Sequence, residues 1–239
     1  MRKLKTIPFF LALLLLFSCD RLITQEQIAA GLKEALEVGA KYALNKLGQQ
    51  DGFYMDQAAK IGLPQDAANL INVVANTPLI GSLVSGLENQ LVLAINRAAE
   101  VAIDGVIPIV VDAITSMTIQ DASAILYSSD NRAATEYLRT KTYTELSNLC
   151  RSVITDALNK KIVGNLSAQG SWEQVTNVYN QASVIIPSLT PVETDLALFT
   201  TQKALNGVFT KIGDEEVKIR TDASARVSDL LQKVFGLLD

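Results

Sequence analysis

Residues 77–114 read TPLIGSLVSGLENQLVLAINRAAEVAIDGVIPIVVDAI, and the period of this stretch decides the fold. Thr77-Pro78 has the form of a helix start, with Thr as the cap and Pro at the first helical position. Ile80, Leu83, Leu87, Leu91, Ala94, Ala98 and Ala102 then recur at three and four, which places one apolar stripe on a helix. Asn96, Arg97, Glu100 and Asp104 fall on the outer side of that helix. Val106 to Val111 is β-branched and contains Pro108, so periodicity alone leaves helix or strand open there. Asp112-Ala113-Ile114 follows with no turn signal, which favours helix.

The same period extends in both directions. Upstream, Thr24 and Gln27 form a capping box. Ile28, Leu32, Leu36, Ala40, Ala43 and Leu47 make its stripe, Glu37 and Lys41 pair on the far face, and Gly48 ends it. Residues 49–65 are irregular, and a short helix is expected over 65–75. Downstream, Thr118 and Asp121 cap a short helix to Tyr127, and Ser128–Asn131 are a turn or the next cap. Helices are expected over about 132–140 and 143–163, the second carrying Leu146, Cys150, Val153 and Ala157 on one face. Ser171 with Gln174 reads as the cap of a helix to about residue 182. Pro187 and Pro191 bracket a linker. Thr190-Pro191-x-Glu193 reads as the cap of a helix with Leu196, Phe199, Leu205, Val208 and Ile212 inward. A final helix places Val227, Leu230, Leu231, Val234 and Phe235 on its apolar side. The expected fold is all-α: a single irregular domain of about eight to ten helices over residues 27–239.

The first residues belong to a different class. Arg2, Lys3 and Lys5 precede an apolar run from Ile7 to Phe17, and the run ends at Ser18-Cys19. Those are the three regions of a secretory signal, with an apolar run too short to span a bilayer. Leu16-Phe17-Ser18-Cys19 resembles the lipobox of bacterial lipoproteins, so residues 1–18 are expected to be removed and Cys19 acylated, with residues 19–26 as tether. The expected location is the bacterial envelope, anchored by lipid and facing the periplasm. Asp20 favours the inner membrane in enteric bacteria and leaves the choice of membrane open elsewhere.

Loss of three positive charges with residues 1–18 takes the formal net charge from −4 to −7. An acidic chain with no basic run argues against nucleic acid as a partner and against a polybasic grip on anionic lipid. The expected partners are the membrane, through the lipid on Cys19, and an unknown protein or small-molecule ligand. Cys150 would be the one cysteine left unmodified, so no disulfide within the chain is expected. On an apolar stripe it reads as a buried, inert thiol rather than a nucleophile or redox sensor.

Met117-Thr118-x-x-Asp121-Ala122 and Ala133-Ala134-Thr135-x-Tyr137-Leu138-Arg139 are less generic. With Asp51-Gly52-Phe53, Leu63-Pro64, Asn96–Glu100, Val111–Ile114, Lys203–Phe209, Glu215–Arg220 and Ala225-Arg226, they make the chain resemble the bacterial family catalogued as domain of unknown function 4197. The resemblance runs over about residues 25–236 and is weakest at 164–186. It implies an exported, often lipid-anchored helical protein, and it implies no activity and no catalytic residue.

The search for chemistry is short. There is no histidine, which removes the commonest general base and metal ligand, and neither phosphate-cradling glycine motif occurs. No catalytic residue, metal ligand or cofactor is assigned. Asp112, within an apolar run, would be an acid of raised pKa if buried, or the partner of Arg97 or Arg139. Glu215 and Glu216 with Lys203, Lys218 and Arg220 read as a solvated face with ordinary ion pairs, with a cation or ligand site as the alternative. Tyr137 and Arg139, two apart, point to different sides of their helix. Phe53 and Tyr54, in the irregular segment, either bind or pin the loop to the core. The candidate binding residues are therefore Phe53, Tyr54, Arg97, Glu100, Asp112 and Arg139. The expected function is a non-catalytic binding or scaffolding module. One alternative is a carrier with a cavity for an apolar or amphipathic molecule. The other is a hydrolase working with two carboxylates.

Overall fold

The computed structural model describes residues 23–64 and 81–239, apart from 164–165, 186–189 and 194. The signal region with Cys19, the helix expected over 65–75, the Thr77-Pro78 start and Ile80 lie outside the described residues, as do the side chains of Leu83, Leu87 and Gln174.

Four long helices form the body: α1 (Gln25–Gly48), α2 (Gly81–Thr115), α4 (Ala133–Leu158) and α6 (Leu196–Thr221). Around them lie α3 (Ile119–Leu126), α5 (Ala168–Ile185), α7 (Asp229–Phe235), a 3-10 turn over Ala223–Ala225, and a small antiparallel hairpin of β1 (Lys161–Val163) with β2 (Leu166–Ser167). The fold is all-α, and Val106–Val111 is helix. Pro108 lies inside α2 on an exposed position. Its missing N–H leaves the carbonyl of Asp104 free, and Asp104 is itself exposed, so water reaches it.

The four long helices alternate in direction. Lys33 of α1 donates to the carbonyl of Thr115 at the end of α2, at 2.8 Å, while Gly48 faces Ile103, so α1 and α2 are antiparallel. Gly39 faces Ile219, and Phe53, just past α1, faces Gly207, so α6 also runs against α1. Glu216 meets the start of α4, Arg139 meets Asn206, and Arg151 meets Asp195, so α4 runs against α6. Helices α2 and α6 both pack on α1 and α4 and barely touch each other. This is an up-and-down bundle with α2 and α6 on a diagonal. The end at the start of α1 is closed by α3 and α7, and the opposite end by the 49–64 loop, the hairpin and α5.

Of the four caps expected from a pair three residues apart, two form, as capping boxes at Thr24/Gln27 and Thr118/Asp121. Other boundaries differ from expectation. Residues 133–158 are one helix rather than two, with the stripe Leu138, Thr142, Leu146, Cys150, Ile154, Leu158 buried. Thr142 satisfies its hydroxyl on the carbonyl of Leu138, so a polar residue sits in the stripe without breaking the helix. Val153 and Ala157 are half-buried beside it, and residues 161–163 are strand. Helix α5 starts at Ala168, ahead of Ser171, because the hydroxyl of Ser167 accepts from the N–H of Gly170. Thr190-Pro191 does not start a helix. The side-chain amide of Asn180 holds both the N–H and the C=O of Val192, and the indole N–H of Trp172 takes the carbonyl of Glu193. With those backbone groups committed elsewhere, α6 waits for Asp195, whose carboxylate accepts from Leu198 at 2.8 Å. Val227 precedes α7, is exposed, and belongs to no apolar stripe.

Among the described residues no single helix is long and apolar enough to cross a membrane.

Candidate functional site

At the end of α1, Asp51 takes a left-handed φ of 67°, a conformation Asp tolerates better than most residues. Gly52 follows, packed against the carbonyls of Lys46 and Leu47 with no room for a side chain. This turn throws residues 53–64 across α2 and α6. Phe53 is fully buried and stacks on Gly207. Two side chains of α2 then take up the loop's backbone. Glu100 accepts from the N–H groups of Phe53 and Tyr54 at 3.2 and 3.4 Å. Asn96 accepts from Ile61 N–H at 2.9 Å and donates back to its carbonyl at 2.7 Å. Both are buried, which corrects their expected place on the outer face of the helix. The loop supplies backbone groups that have no other partners, so the two polar side chains are drawn inward.

Arg97 completes the cluster, bonding to Glu100 at 2.8 Å and Asp51 at 2.7 Å. The Glu100 carboxylate beside it, followed by Asp51, holds its guanidinium above the ordinary pKa. Tyr54 lies half-buried under the ammonium of Lys60, 4.1 Å from the ring centre. On the α6 side Asp56 pairs with Lys211 at 2.8 Å and accepts from the N–H groups of Ala58 and Ala59. Burial alone would raise the pKa of Asp56, but the Lys211 ammonium and the two amides outweigh it and the net shift is downward. Every charged group here already has a partner, so the cluster latches a loop and offers no free acid or base.

Of the six expected binding residues the structure joins Phe53, Tyr54, Arg97 and Glu100. It separates the other two. Asp112 is 15 positions beyond Arg97 on the same helix, roughly 22 Å away. It is exposed, not buried, and pairs with neither Arg97 nor Arg139, whose ion pairs go to Asp51, Glu100 and Glu136. Arg139 stacks on Phe209, 4.6 Å from the ring centre, and reaches Asn206 and Glu136. Tyr137 points elsewhere, with its hydroxyl 3.5 Å from Asp121. Phe53 is core, and its aromatic ring is unavailable to a ligand.

The expected solvated face at Glu215–Arg220 is half wrong. Glu215 pairs with Lys218 at the surface, but Glu216 and Arg220 form a buried pair at 3.0 Å. Glu216 also accepts from the N–H groups of Ala134 and Thr135 at the start of α4. Arg220 donates to the carbonyls of Ile125 and Leu126 at the end of α3. A carboxylate at a helix start and a guanidinium at a helix end both match the local dipole. Cys150 is buried, and burial pushes its thiol up to about 11. Among the described residues no three His, Cys, Asp or Glu side chains converge.

Among the described residues, one open feature is a groove of about 480 Å³ between α2 and the end of α4. Leu93, Ala94, Ala98 and Val101 form its floor, Ala157 its far wall, and Gln90, Arg97 and Lys160 its polar margin. Val101 is 57% exposed and Leu93 39%. Both fall beside the buried stripe of α2 at a spacing of eight with Arg97 midway, a signal present in the sequence to which the reading of that stripe gave no role.

One family model, described as a protein of unknown function (DUF4197), matches residues 22–236. No curated protein and no solved structure matches.

Proposed function

We infer, from the premise that the chain belongs to this family of proteins of unknown function (DUF4197), that its function must be read from its own surfaces. We propose a lipid-anchored protein of the bacterial envelope that binds a partner without catalysing a reaction. Cys19 is the anchor, held by its acyl chains. The α2–α4 groove, at the end of the bundle away from the start of α1, is the binding surface.

The observation that carries this reading is the groove. It leaves two large apolar side chains in water on one helix face, Leu93 and Val101, beside a polar margin. An exposed apolar patch rimmed by polar groups is the ordinary signature of a recognition surface. The charged groups of the neighbouring loop are consumed in holding that loop, and the cysteine thiol is buried, which supports binding over catalysis. The volume also suits an amphipathic small molecule, so the carrier reading stands second.

A photo-crosslinking residue at Val101, in the lipidated protein within its own host, tests the proposal. A protein adduct of defined mass is expected at Val101 and not at Tyr42, which is equally exposed on α1. A small-molecule adduct would move the reading to a carrier. No adduct at Val101 would sink both.

A further inference from the structure

The end of the bundle at the start of α1 carries its own apolar surface. Arg226 clasps Asp239 with two hydrogen bonds, at 2.7 and 2.8 Å, and the side-chain amide of Gln232 holds the carbonyl of Arg226. This clasp draws the residues on either side of α7 together. Val227 is 71% exposed, Leu237 47% and Leu238 39%. Isolated exposed apolar residues need no explanation, but Val227 follows Arg226 and Leu237-Leu238 precede Asp239 in the chain, so the clasp ties the two segments that carry them. Ile119, 43% exposed, opens α3, and one turn later Ser123 bonds to Gln25 in the first turn of α1 at 2.7 Å. Leu230 and Val234 of α7 rest on Gly31 of α1. The two short helices next to which these apolar residues lie in the chain thus both pack beside the first two turns of α1.

Those turns lie next to the chain that leads to Cys19. Five peptide steps separate Cys19 from the cap residue Thr24, a reach of at most about 17 Å. Helix α1 itself is 24 residues long, roughly 36 Å. The tether therefore cannot carry the 49–64 loop to the surface unless the bundle lies flat, whereas it sets the α3–α7 end against that surface directly.

We propose that Ile119, Val227, Leu237 and Leu238 form a membrane-contact face, seated in the interface of the bilayer that holds the acyl chains. The occupant is a phospholipid surface recognised through apolar contact rather than charge, since the chain is acidic and lacks a basic run. The face orients the bundle upright and presents the α2–α4 groove away from the membrane. This inference rests on the anchoring reading of Cys19.

The test couples the mature chain through Cys19 to a maleimide lipid in phosphatidylcholine vesicles that contain brominated acyl chains. Cys150 is buried with its thiol pushed up to about 11, so Cys19 reacts alone. The natural Trp172 is buried and bonded to Glu193 near the start of α6, at the far end, and gives a constant background. Tryptophan is placed at Leu238, Val227 or Met55, the last exposed in the far loop. Quenching by at least about twofold is expected for Leu238→Trp and Val227→Trp and none for Met55→Trp. Equal quenching at all three positions, or none at Leu238 and Val227, overturns the face. Intact mass of the protein from its own cells reports acylation separately. An unmodified mass there refutes the anchor, while the vesicle result still decides whether the face contacts lipid.

Discussion

Glu216 receives four hydrogen bonds, from Ala134 N–H, Thr135 N–H, the Thr135 hydroxyl and Arg220. It is 4% exposed, so water replaces none of them. Glu216→Gln removes the charge that compensates Arg220 and leaves a buried guanidinium unpaired. A loss of about 3–5 kcal/mol is expected. Glu215→Gln, next door, breaks only the surface pair with Lys218 and should cost less than about 1 kcal/mol. Urea unfolding midpoints of the two variants, compared at equal slope, check the contrast. In the sequence the two glutamates are indistinguishable. What separates them is the approach of α4, an element more than 80 positions away in the chain.

Among the elements, the 49–64 loop shows how a short signal can be right in kind and silent on purpose. Asp51-Gly52-Phe53 reads as irregular, and it is. Its role becomes visible only when Asn96 and Glu100 take up its backbone. The turn that launches it depends on Gly52, where a β-carbon would strike the carbonyls of Lys46 and Leu47. Backbone cannot yield there as a side-chain tip can. Gly52→Ala is expected to destabilise the fold by about 1–3 kcal/mol. It should also raise the proteolytic sensitivity of residues 53–64, read by limited digestion, while the ends of α6 remain protected. A digestion pattern unchanged from the parent would mean that the turn is not what holds the loop. The same comparison explains the misplaced start of α6: Thr190-Pro191 has the right local chemistry for a cap, but Asn180 and Trp172 of α5 outbid it for the backbone.

For the whole molecule, titration is confined to the extremes of pH. The chain has no histidine, so no side chain titrates between pH 5 and 8 at its unperturbed pKa. The carboxyls of Asp121, Asp222 and Asp239 are held below their ordinary values by the Thr118, Ser224 and Arg226 side chains, and Asp56 is lowered with Lys211 as described. A depressed folded pKa means that the unfolded chain binds more protons in acid. That stability is present above the unfolded values near pH 4 and is lost as pH falls through the folded ones. Cys150 acts at the other limit. Its folded pKa of about 11 lies above the ordinary 9.0, so its contribution is present below pH 9 and is lost as pH rises towards 11. The thermal midpoint should stay flat from about pH 5 to 8.5 and fall on both sides, more steeply in acid. A transition near pH 6.5 would contradict the account.

The sequence by itself determined the class of the fold, because a repeat at three and four buries one face of a helix and nothing else accommodates it. It determined two of the four caps it offered between residues three apart, at Thr24 and Thr118, where that contact meets no competitor; those at Ser171 and Thr190 gave way to neighbouring groups. It also placed Cys150 in the core through its position on an apolar stripe. The tertiary structure decided which polar residues are buried. Asn96, Glu100, Glu216 and Arg220 sit on helix faces that local pattern assigns to water, and each is drawn inward by backbone groups of a distant element that would otherwise be unsatisfied. It decided as well which apolar residues stay outside. Leu93 and Val101 match the core in type, and they remain exposed because no described element packs over that face of α2. Pattern within a helix is local chemistry. Whether a face meets another element depends on how helices far apart in the chain come together, and no window of neighbouring residues contains that information.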